Sequence, residues 1–307
     1  MSTVKAPGIL HRYTTRLVAF EHTRAGASPN NSLLFVGGLN EGFLTVPYAQ
    51  DLAAALPPSY SLVEVLLSSA FSGWGHSSIS QDVHELGRCV EYFQSLRPGG
   101  KVVLMGNSTG CQDVLCYLSY RGSRPKVDGG ILQAPVSDRE AVQTIYPADD
   151  YKRYNEMAQQ WVKDGKGDHM LPNEVSLPKL GARVTADRWL SLASPGPEHA
   201  GEDDLFSSDL GDGRFQSTFG MAGQSGVALL ILFSGNDEFV PKAVDKQALV
   251  ARMEKAFVDA GGQLGRESGI LLNASHTVKD VGEARDEMLK RIKNFVDSID
   301  KGTLGTN

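Results

Sequence analysis

The segment Gly106-Asn107-Ser108-Thr109-Gly110 constrains the fold of this chain more than any other. It joins an apolar run at 101–105 to a helical pattern at 111–118, which predicts a β-strand, a tight turn and an α-helix. Glycines at both ends of the turn let strand and helix approach closely, and the turn holds Ser108 at strained backbone angles. The serine oxygen then lies at a helix N-terminus, where the helix dipole favours negative charge. We therefore predict that Ser108 is a nucleophile.

Strand-like and helix-like segments alternate along most of the 307 residues. The predicted strands cover 12–20, 32–36, 62–67, 101–105, 129–134, 227–233 and 269–272. The predicted helices cover 46–56, 79–96, 111–118, 148–163, 244–260 and 282–299. This alternation predicts an α/β fold in which a mostly parallel central sheet has helices on both faces.

The region 135–226 interrupts this alternation. It contains helical pieces and a polar stretch at 194–213 that is rich in glycine, proline, serine and aspartate, but no strong strand. We predict a core formed by 1–134 and 227–307, with 135–226 inserted as a cap over the C-terminal edge of the sheet. The alternative is a long, partly mobile surface excursion, since long excursions are functional or disordered in most compact domains.

A serine hydroxyl becomes a good nucleophile when a base takes its proton and an acid orients that base. In α/β-hydrolases, which these motifs resemble, the acid and then the histidine follow the serine along the chain. The strand predicted at 227–233 leads into 234–241, which resembles the Asp-x-x-Val-Pro loop of that fold. Asp237 has the matching position and is the predicted acid. Glu238 is the alternative acid, and a turn-capping role is the alternative for Asp237.

His276 is the predicted base. It lies directly after the last predicted strand, and of the seven histidines it alone follows Asp237. A lone histidine in a loop is more often structural or exposed. The prediction therefore depends on its order along the chain and on its position after a strand.

Backbone N–H groups must also stabilise the anionic intermediate of such a reaction. Thr109 follows the nucleophile and supplies one N–H group. The loop Gly37-Gly38-Leu39-Asn40 follows an early strand, and Leu39 is predicted to supply the other. Its glycines let the backbone come close to a substrate, so Gly38 and Asn40 are predicted to contact it. A plain turn is the alternative for this loop.

The segment 73–78 resembles the Gly-x-Gly-x-Ser loop that is common in this fold. Trp74 and His76 are predicted to line the cleft, with a packing role as the alternative. The segment is not a dinucleotide-binding motif because the third glycine is missing. The sequence also has neither a phosphate-binding loop nor a zinc motif. We expect no cofactor and no metal site.

The chain resembles a fungal α/β-hydrolase family of intracellular siderophore esterases. The residues that carry this resemblance are 35–39, 106–110, 133–141 and 234–241. The second and fourth segments are general to α/β-hydrolases, whereas 133–141 is more specific to the family. The resemblance implies hydrolysis of ester bonds in fusarinine-type hydroxamate siderophores after iron uptake, with any iron arriving on the substrate.

Two other functions remain open at this point. One is a general carboxylesterase, thioesterase or lactonase, and the other is a ligand-binding module with little or no turnover. The predicted cap contains several carboxylates, which would attract a substrate that carries ammonium groups. The alternative is that these carboxylates are ordinary solvated side chains. They are Asp149, Asp150, Glu156, Glu198, Glu202, Asp203 and Asp204.

Composition narrows the range of partners and locations. The net charge is −6, whereas nucleic-acid binding requires clustered lysine and arginine, so we expect no nucleic-acid partner. Residues 1–7 lack the apolar core of a secretory signal, and no apolar run has the length of a membrane span. We expect a cytoplasmic protein that acts on a small-molecule ester.

Overall fold

The computed structural model describes residues 4–304, and within this range it contains a nine-stranded sheet. The strands are β1 (Gly8–Arg12), β2 (Val18–His22), β3 (Asn31–Val36), β4 (Tyr60–Val65), β5 (Val102–Asn107), β6 (Gly129–Gln133), β7 (Ala228–Ser234), β8 (Gln263–Leu264) and β9 (Gly269–Leu271). Their spatial order is β1-β2-β4-β3-β5-β6-β7-β8, and β9 also pairs with β7. The β1–β2 and β2–β4 pairs are antiparallel, and all other pairs are parallel.

The helices surround this sheet. They are α1 (Ala49–Ala55), α2 (Ile79–Leu96), α3 (Gly110–Ser119), α4 (Asp138–Ile145), α5 (Ala148–Lys163), α6 (Asn173–Leu180), α7 (Ala186–Ala193), α8 (Asp212–Phe215), α9 (Met221–Gly223), α10 (Lys246–Asp259) and α11 (Glu283–Lys301). The predicted α/β architecture with a mostly parallel sheet is therefore confirmed.

The two faces of the sheet pack against different sets of helices. In β3, Leu34 and Val36 belong to a cluster that includes buried residues of α2, α3 and α10. Leu33 and Phe35 belong to a second cluster with residues of α1 and α11. Successive strand residues point to opposite faces, so a strand that is buried on both sides is apolar throughout. This is why the central strands are recognisable as continuous apolar runs.

The first predicted strand, 12–20, is wrong as a single element. The structure has a β1–β2 hairpin there, which turns at 13–17. The Thr14 hydroxyl accepts hydrogen bonds from the N–H groups of Arg16 and Leu17, at 3.2 and 2.9 Å. A threonine side chain that binds the backbone in this way favours a turn.

The region 135–226 divides into two parts. Helices α4 to α7 form their own apolar cluster, in which Tyr146, Tyr154 and Trp189 contact one another edge to face with ring centroids 5.5 to 5.9 Å apart. In contrast, Phe206 and Phe219 pack into the core cluster on one face of the sheet. The stretch from 205 onward therefore contributes side chains to the helical layer of the sheet. The division into a core and a cap at 135–226 stays a prediction.

Candidate active site

Ser108 lies in a tight turn between β5 and α3, as the motif predicts. Its φ is 54°, in the left-handed region that non-glycine residues rarely adopt. A Cβ on Gly106 would lie 2.2 Å from the carbonyl oxygen of Gly110, and one on Gly110 would lie 2.4 Å from that of Val36. Both glycines are therefore required by the close approach of α3 to β5 and β3.

Ser108, His276 and Asp237 are in direct contact. His276 Nε2 lies 2.8 Å from Ser108 Oγ, and His276 Nδ1 lies 2.7 Å from Asp237 Oδ2. The three residues follow β5, β9 and β7, and the carboxyl ends of parallel strands share one edge of a sheet. Asp237 and His276 are buried, while Ser108 is half-buried. The structure thus brings together the three side chains predicted from sequence.

Glu238 binds the backbone of the histidine loop instead of the imidazole. Its Oε2 accepts a hydrogen bond from the His276 N–H at 2.9 Å. Burial alone would raise the pKa of this carboxyl, but hydrogen bonds from the backbone N–H groups of His276 and of Glu238 itself lower it below its usual value. The geometry therefore favours Asp237 over Glu238 as the partner of the ring.

Asp237 also caps a turn, which was its alternative role. Its Oδ1 accepts a hydrogen bond from the Phe239 N–H at 3.0 Å, while Oδ2 faces His276. The Phe239 ring packs edge-on against the imidazole, with centroids 4.7 Å apart. The two roles are compatible because each uses a different carboxylate oxygen.

The loop after β3 lies against the serine. A Cβ on Gly38 would lie 2.7 Å from Ser108 Cβ, so only glycine fits there. Within residues 4–304, neither the Leu39 N–H nor the Thr109 N–H donates to a protein acceptor. Both groups are therefore free to bind another oxygen, as an oxyanion hole requires.

Ser108 and His276 open into a cavity of about 280 Å³. Gly38 and Asn40 also line it. The rest of the lining is mainly apolar and comes largely from α4, α6 and α7, with Val142, Ile145, Leu180, Leu192 and Phe239 among its residues. Helices α4 and α6 also contribute one ionisable side chain each to the lining, Asp138 and Lys179. Such a site suits a substrate with an apolar part next to a polar reacting group.

Asn40 connects the loop after β3 to the outer helices. Its backbone has a φ of 64°, and its Nδ2 donates to the carbonyl oxygen of Leu180 in α6 at 2.9 Å. Its Oδ1 accepts a hydrogen bond from Trp74 Nε1 at 3.0 Å. Trp74 is buried in the cluster of α4 to α7, which matches its packing alternative. His76 is exposed and is not part of the lining of the cavity around Ser108.

A polar network beneath the site was missed by the sequence analysis. Glu41 accepts hydrogen bonds from the loop and from Asn107, and Tyr48 and Gln133 extend this network toward the histidine loop. Tyr48, Asn107 and Gln133 are fully buried. The only sequence signal was the presence of polar residues at the ends of apolar strands, as at Asn107 and Gln133.

Two carboxylates of the predicted acidic cap are not on the surface. Asp203 and Asp204 are fully buried and form ion pairs with Arg188 and Arg139 respectively. Buried charges are tolerated when they are paired in this way. These two residues are therefore structural, and they cannot attract a ligand from solvent.

Further buried acids lie near the same arginine. Burial raises the pKa of Asp82 to about 7, although hydrogen bonds from Ser69 and Ser77 and the charge of Arg188 oppose this. Burial and the charges of Asp82 and Asp203 raise the pKa of Asp113 well above its usual value. Asp82 and Asp113 line a small cavity of about 40 Å³ beside the loop after β3.

Among residues 4–304, no group of three or more histidine, cysteine, aspartate or glutamate side chains has an arrangement that could hold a metal ion. None of the helices in that range combines the length and the apolarity needed to cross a membrane.

Comparison with known proteins identifies the family. The family described as "Protein of unknown function (DUF1749)" matches residues 1–297. The chain belongs to this family. Among its relatives is "Esterase AN6793" of Emericella nidulans, which is 37% identical and is matched over 96% of this chain and 93% of the relative. "Fusarinine C esterase sidJ" of Aspergillus fumigatus is also 37% identical, over 96% of this chain and 97% of the relative.

Solved structures agree with this assignment. "Siderophore hydrolase EstB from Aspergillus fumigatus" has a TM-score of 0.86 and 37% identity, and the match covers 96% of this chain and 98% of that one. An "Alpha/Beta hydrolase fold protein of unknown function" has a TM-score of 0.67 at 17% identity, which supports the fold alone. The resemblance to fungal siderophore esterases and the α/β-hydrolase fold are both confirmed.

Proposed function

We propose that the protein is a serine esterase that hydrolyses ester bonds of fusarinine-type siderophores inside the cell. The observation that carries this proposal is the continuous contact from Ser108 Oγ through the His276 imidazole to Asp237, with distances of 2.8 and 2.7 Å. A nucleophile, a base and an orienting acid in hydrogen-bond contact are the elements that acyl transfer requires.

In the first half of the reaction, His276 Nε2 takes the proton of Ser108 as Oγ attacks the ester carbonyl carbon. The carbonyl oxygen becomes an oxyanion, which accepts hydrogen bonds from the Leu39 and Thr109 N–H groups. Asp237 holds the imidazole and stabilises its protonated form. When the tetrahedral intermediate collapses, His276 gives its proton to the leaving alcohol and the acyl group stays on Ser108.

In the second half, a water molecule takes the place of the alcohol. His276 accepts a proton from this water while the water oxygen attacks the acyl carbon, and the oxyanion forms again in the same place. Collapse of this intermediate returns the proton to Ser108 and releases the carboxylic acid. The same two N–H groups therefore act in both halves of the reaction.

The substrate class is supported by the relatives. Two Aspergillus fumigatus proteins at 37% identity carry the names fusarinine C esterase and siderophore hydrolase. The mainly apolar cavity of about 280 Å³ also suits simple acyl esters, so a general carboxylesterase is the second candidate.

The test compares the two substrate classes on purified protein. We would measure kcat/KM for an ester-linked fusarinine siderophore, with and without iron, and for short p-nitrophenyl esters. Higher kcat/KM for the siderophore is expected, whereas a preference for the simple esters would leave a general esterase. In parallel, a fluorophosphonate probe should label Ser108, and folded protein that stays unlabelled would favour a ligand-binding module.

A further inference from the structure

The carboxyl group of Glu41 joins two segments of the site. Its Oε2 accepts a hydrogen bond from the Gly38 N–H at 2.6 Å and another from Asn107 Nδ2 at 2.8 Å. Gly38 directly precedes Leu39, and Asn107 lies two residues before Thr109. One oxygen atom therefore connects the two chain segments whose N–H groups are free to bind an oxyanion.

The loop after β3 cannot be fixed by side-chain packing where it approaches the serine. A Cβ on Gly37 would lie 2.9 Å from Glu41 Cβ, and one on Gly38 would lie 2.7 Å from Ser108 Cβ. The loop is thus built from glycines where it meets the nucleophile, and glycine leaves the backbone conformationally free. Hydrogen bonds from the loop to a fixed acceptor can restore the order that side chains would otherwise provide.

The contacts continue from Asn107 to the histidine loop. The Tyr48 hydroxyl lies 3.0 Å from Asn107 Oδ1 and 2.9 Å from Gln133 Oε1. Gln133 Nε2 in turn donates to the backbone carbonyl oxygen of His276 at 3.1 Å. A connected polar network therefore runs from the loop after β3, through the serine turn, to the residue that serves as the base.

We propose that Glu41 is a positioning residue that holds the Leu39 and Thr109 N–H groups in the geometry an oxyanion requires. This inference rests on the proposed function, since it concerns the same site. The position of Glu41 relative to His276 is set through the side chains of Asn107, Tyr48 and Gln133. Preorganised donors that need no rearrangement during the reaction are the main source of oxyanion stabilisation.

The environment of Glu41 supports a role in the site. Removing an acid from water is costly, and the half-buried carboxyl of Glu41 is bound by two uncharged N–H groups and not by a lysine or an arginine. Burial raises the pKa of Glu41, although the bonds from Gly38 and Asn107 oppose this. Glu41 also lines the cavity that contains Ser108.

The test uses Glu41→Ala and Glu41→Gln, with Glu91→Gln as a matched control on the exposed face of α2. With a p-nitrophenyl ester, Glu41→Ala should lower kcat by about 100-fold, the usual effect of losing an oxyanion donor, while KM changes less than about threefold. The inhibition constant of a trifluoromethyl ketone, which forms an oxyanion on the serine, should rise by a similar factor. The Glu91→Gln control should match the wild type in all three values.

Glu41→Gln should keep most of the activity, because its amide oxygen can accept the same two hydrogen bonds. A purely structural Glu41 would instead lower the melting temperature and leave kcat per folded site and the ketone inhibition constant unchanged. Either of those constants within about threefold of wild type in folded Glu41→Ala would overturn the proposal.

If Glu41→Ala does not fold, Asn107→Ala gives a second test, since it removes one of the two donors to Glu41 Oε2. For Asn107→Ala we expect kcat to be at least about 10-fold lower and the inhibition constant of the trifluoromethyl ketone to be higher. Wild-type values of both constants would overturn the proposal. Ser108→Ala separates this inference from the proposed function. If Ser108→Ala is inactive while Glu41→Ala is normal, only the positioning role fails.

Discussion

His276 Nε2 lies 2.8 Å from Ser108 Oγ, although 168 positions separate the two residues along the chain. Their strands, β5 and β9, are not neighbours, because β6 and β7 lie between them in the sheet. The contact therefore depends on the correct order of four strands and on two loops that lean toward each other over the sheet edge. It is a property of the whole fold and not of either loop.

Replacing Ser108 with alanine should remove nearly all activity. With the nucleophile gone, turnover is expected to fall on the order of 10⁴- to 10⁶-fold. Hydrolysis of a p-nitrophenyl ester would be measured together with the melting temperature. An unchanged melting temperature is expected, and turnover near that of the wild type would contradict the proposed mechanism.

The two candidate acids should differ strongly in mutational effect. Asp237→Asn removes the charge that faces His276 Nδ1, and we expect kcat to fall about 10⁴-fold, as is typical of this position in a triad. Glu238→Gln is the matched control, because the Glu238 carboxylate binds backbone N–H groups, including that of His276 at 2.9 Å, and not the imidazole. Its effect should be much smaller, and a larger loss in Glu238→Gln than in Asp237→Asn would reverse the assignment.

A methyl group at Gly38 should impair catalysis without unfolding the protein. The added Cβ would lie 2.7 Å from Ser108 Cβ, so the loop must move away from the serine. We expect Gly38→Ala to lower kcat about 100-fold, in line with the loss of one oxyanion donor. Gly211→Ala is the control, since a Cβ there meets no atom within 4 Å. Equal kcat values for the two variants would argue against a close role for this loop.

Asp82 should make stability depend on pH. Burial raises its pKa to about 7, whereas the carboxyl titrates near ~3.9 in an unfolded chain. Between these values the folded state keeps a proton that the unfolded state has lost. The contribution of Asp82 is therefore complete below the unfolded pKa and is lost as pH rises toward 7, by up to ~1.4 kcal/mol per unit.

Asp82→Asn removes this proton exchange. The free energy of unfolding of the variant, relative to wild type, should therefore increase as pH rises from about 5 to about 7. Urea denaturation of both proteins at several pH values would measure this difference. Asp164→Asn, which changes an exposed aspartate at the end of α5, serves as the control. A difference between Asp82→Asn and wild type that is constant with pH would show that Asp82 is ionised in the folded state.

The sequence predicted those parts of the site that carry a local signal. Ser108, Asp237 and His276 each follow an apolar strand within a recognisable loop, and such strands are apolar because both of their faces are buried. The hairpin at 13–17 was missed because its turn lacks glycine and proline and depends on the Thr14 side chain. An alternation of polar and apolar residues does not reveal where a strand reverses.

The polar network could not be read from the sequence for a different reason. Tyr48 and Gln133 are 85 residues apart and meet only when the fold is complete, so no spacing along the chain marks them. The same is true of Asp203 and Asp204, which stand in a polar stretch and look solvated until Arg188 and Arg139 are located beside them. Long-range pairing of polar side chains therefore cannot be predicted from a single sequence.

The bond from Asn40 to Leu180 has a consequence for how the outer helices influence turnover. Helix α6 ends at Leu180, and the backbone carbonyl of Leu180 accepts a hydrogen bond from the side chain of Asn40, which directly follows Leu39. An outward movement of α6 that widened the cavity around Ser108 would stretch or break this hydrogen bond and displace the Leu39 N–H group. Substitutions on the far side of α6, which never meet a substrate, are therefore expected to change the chemical step as well as the rate of entry.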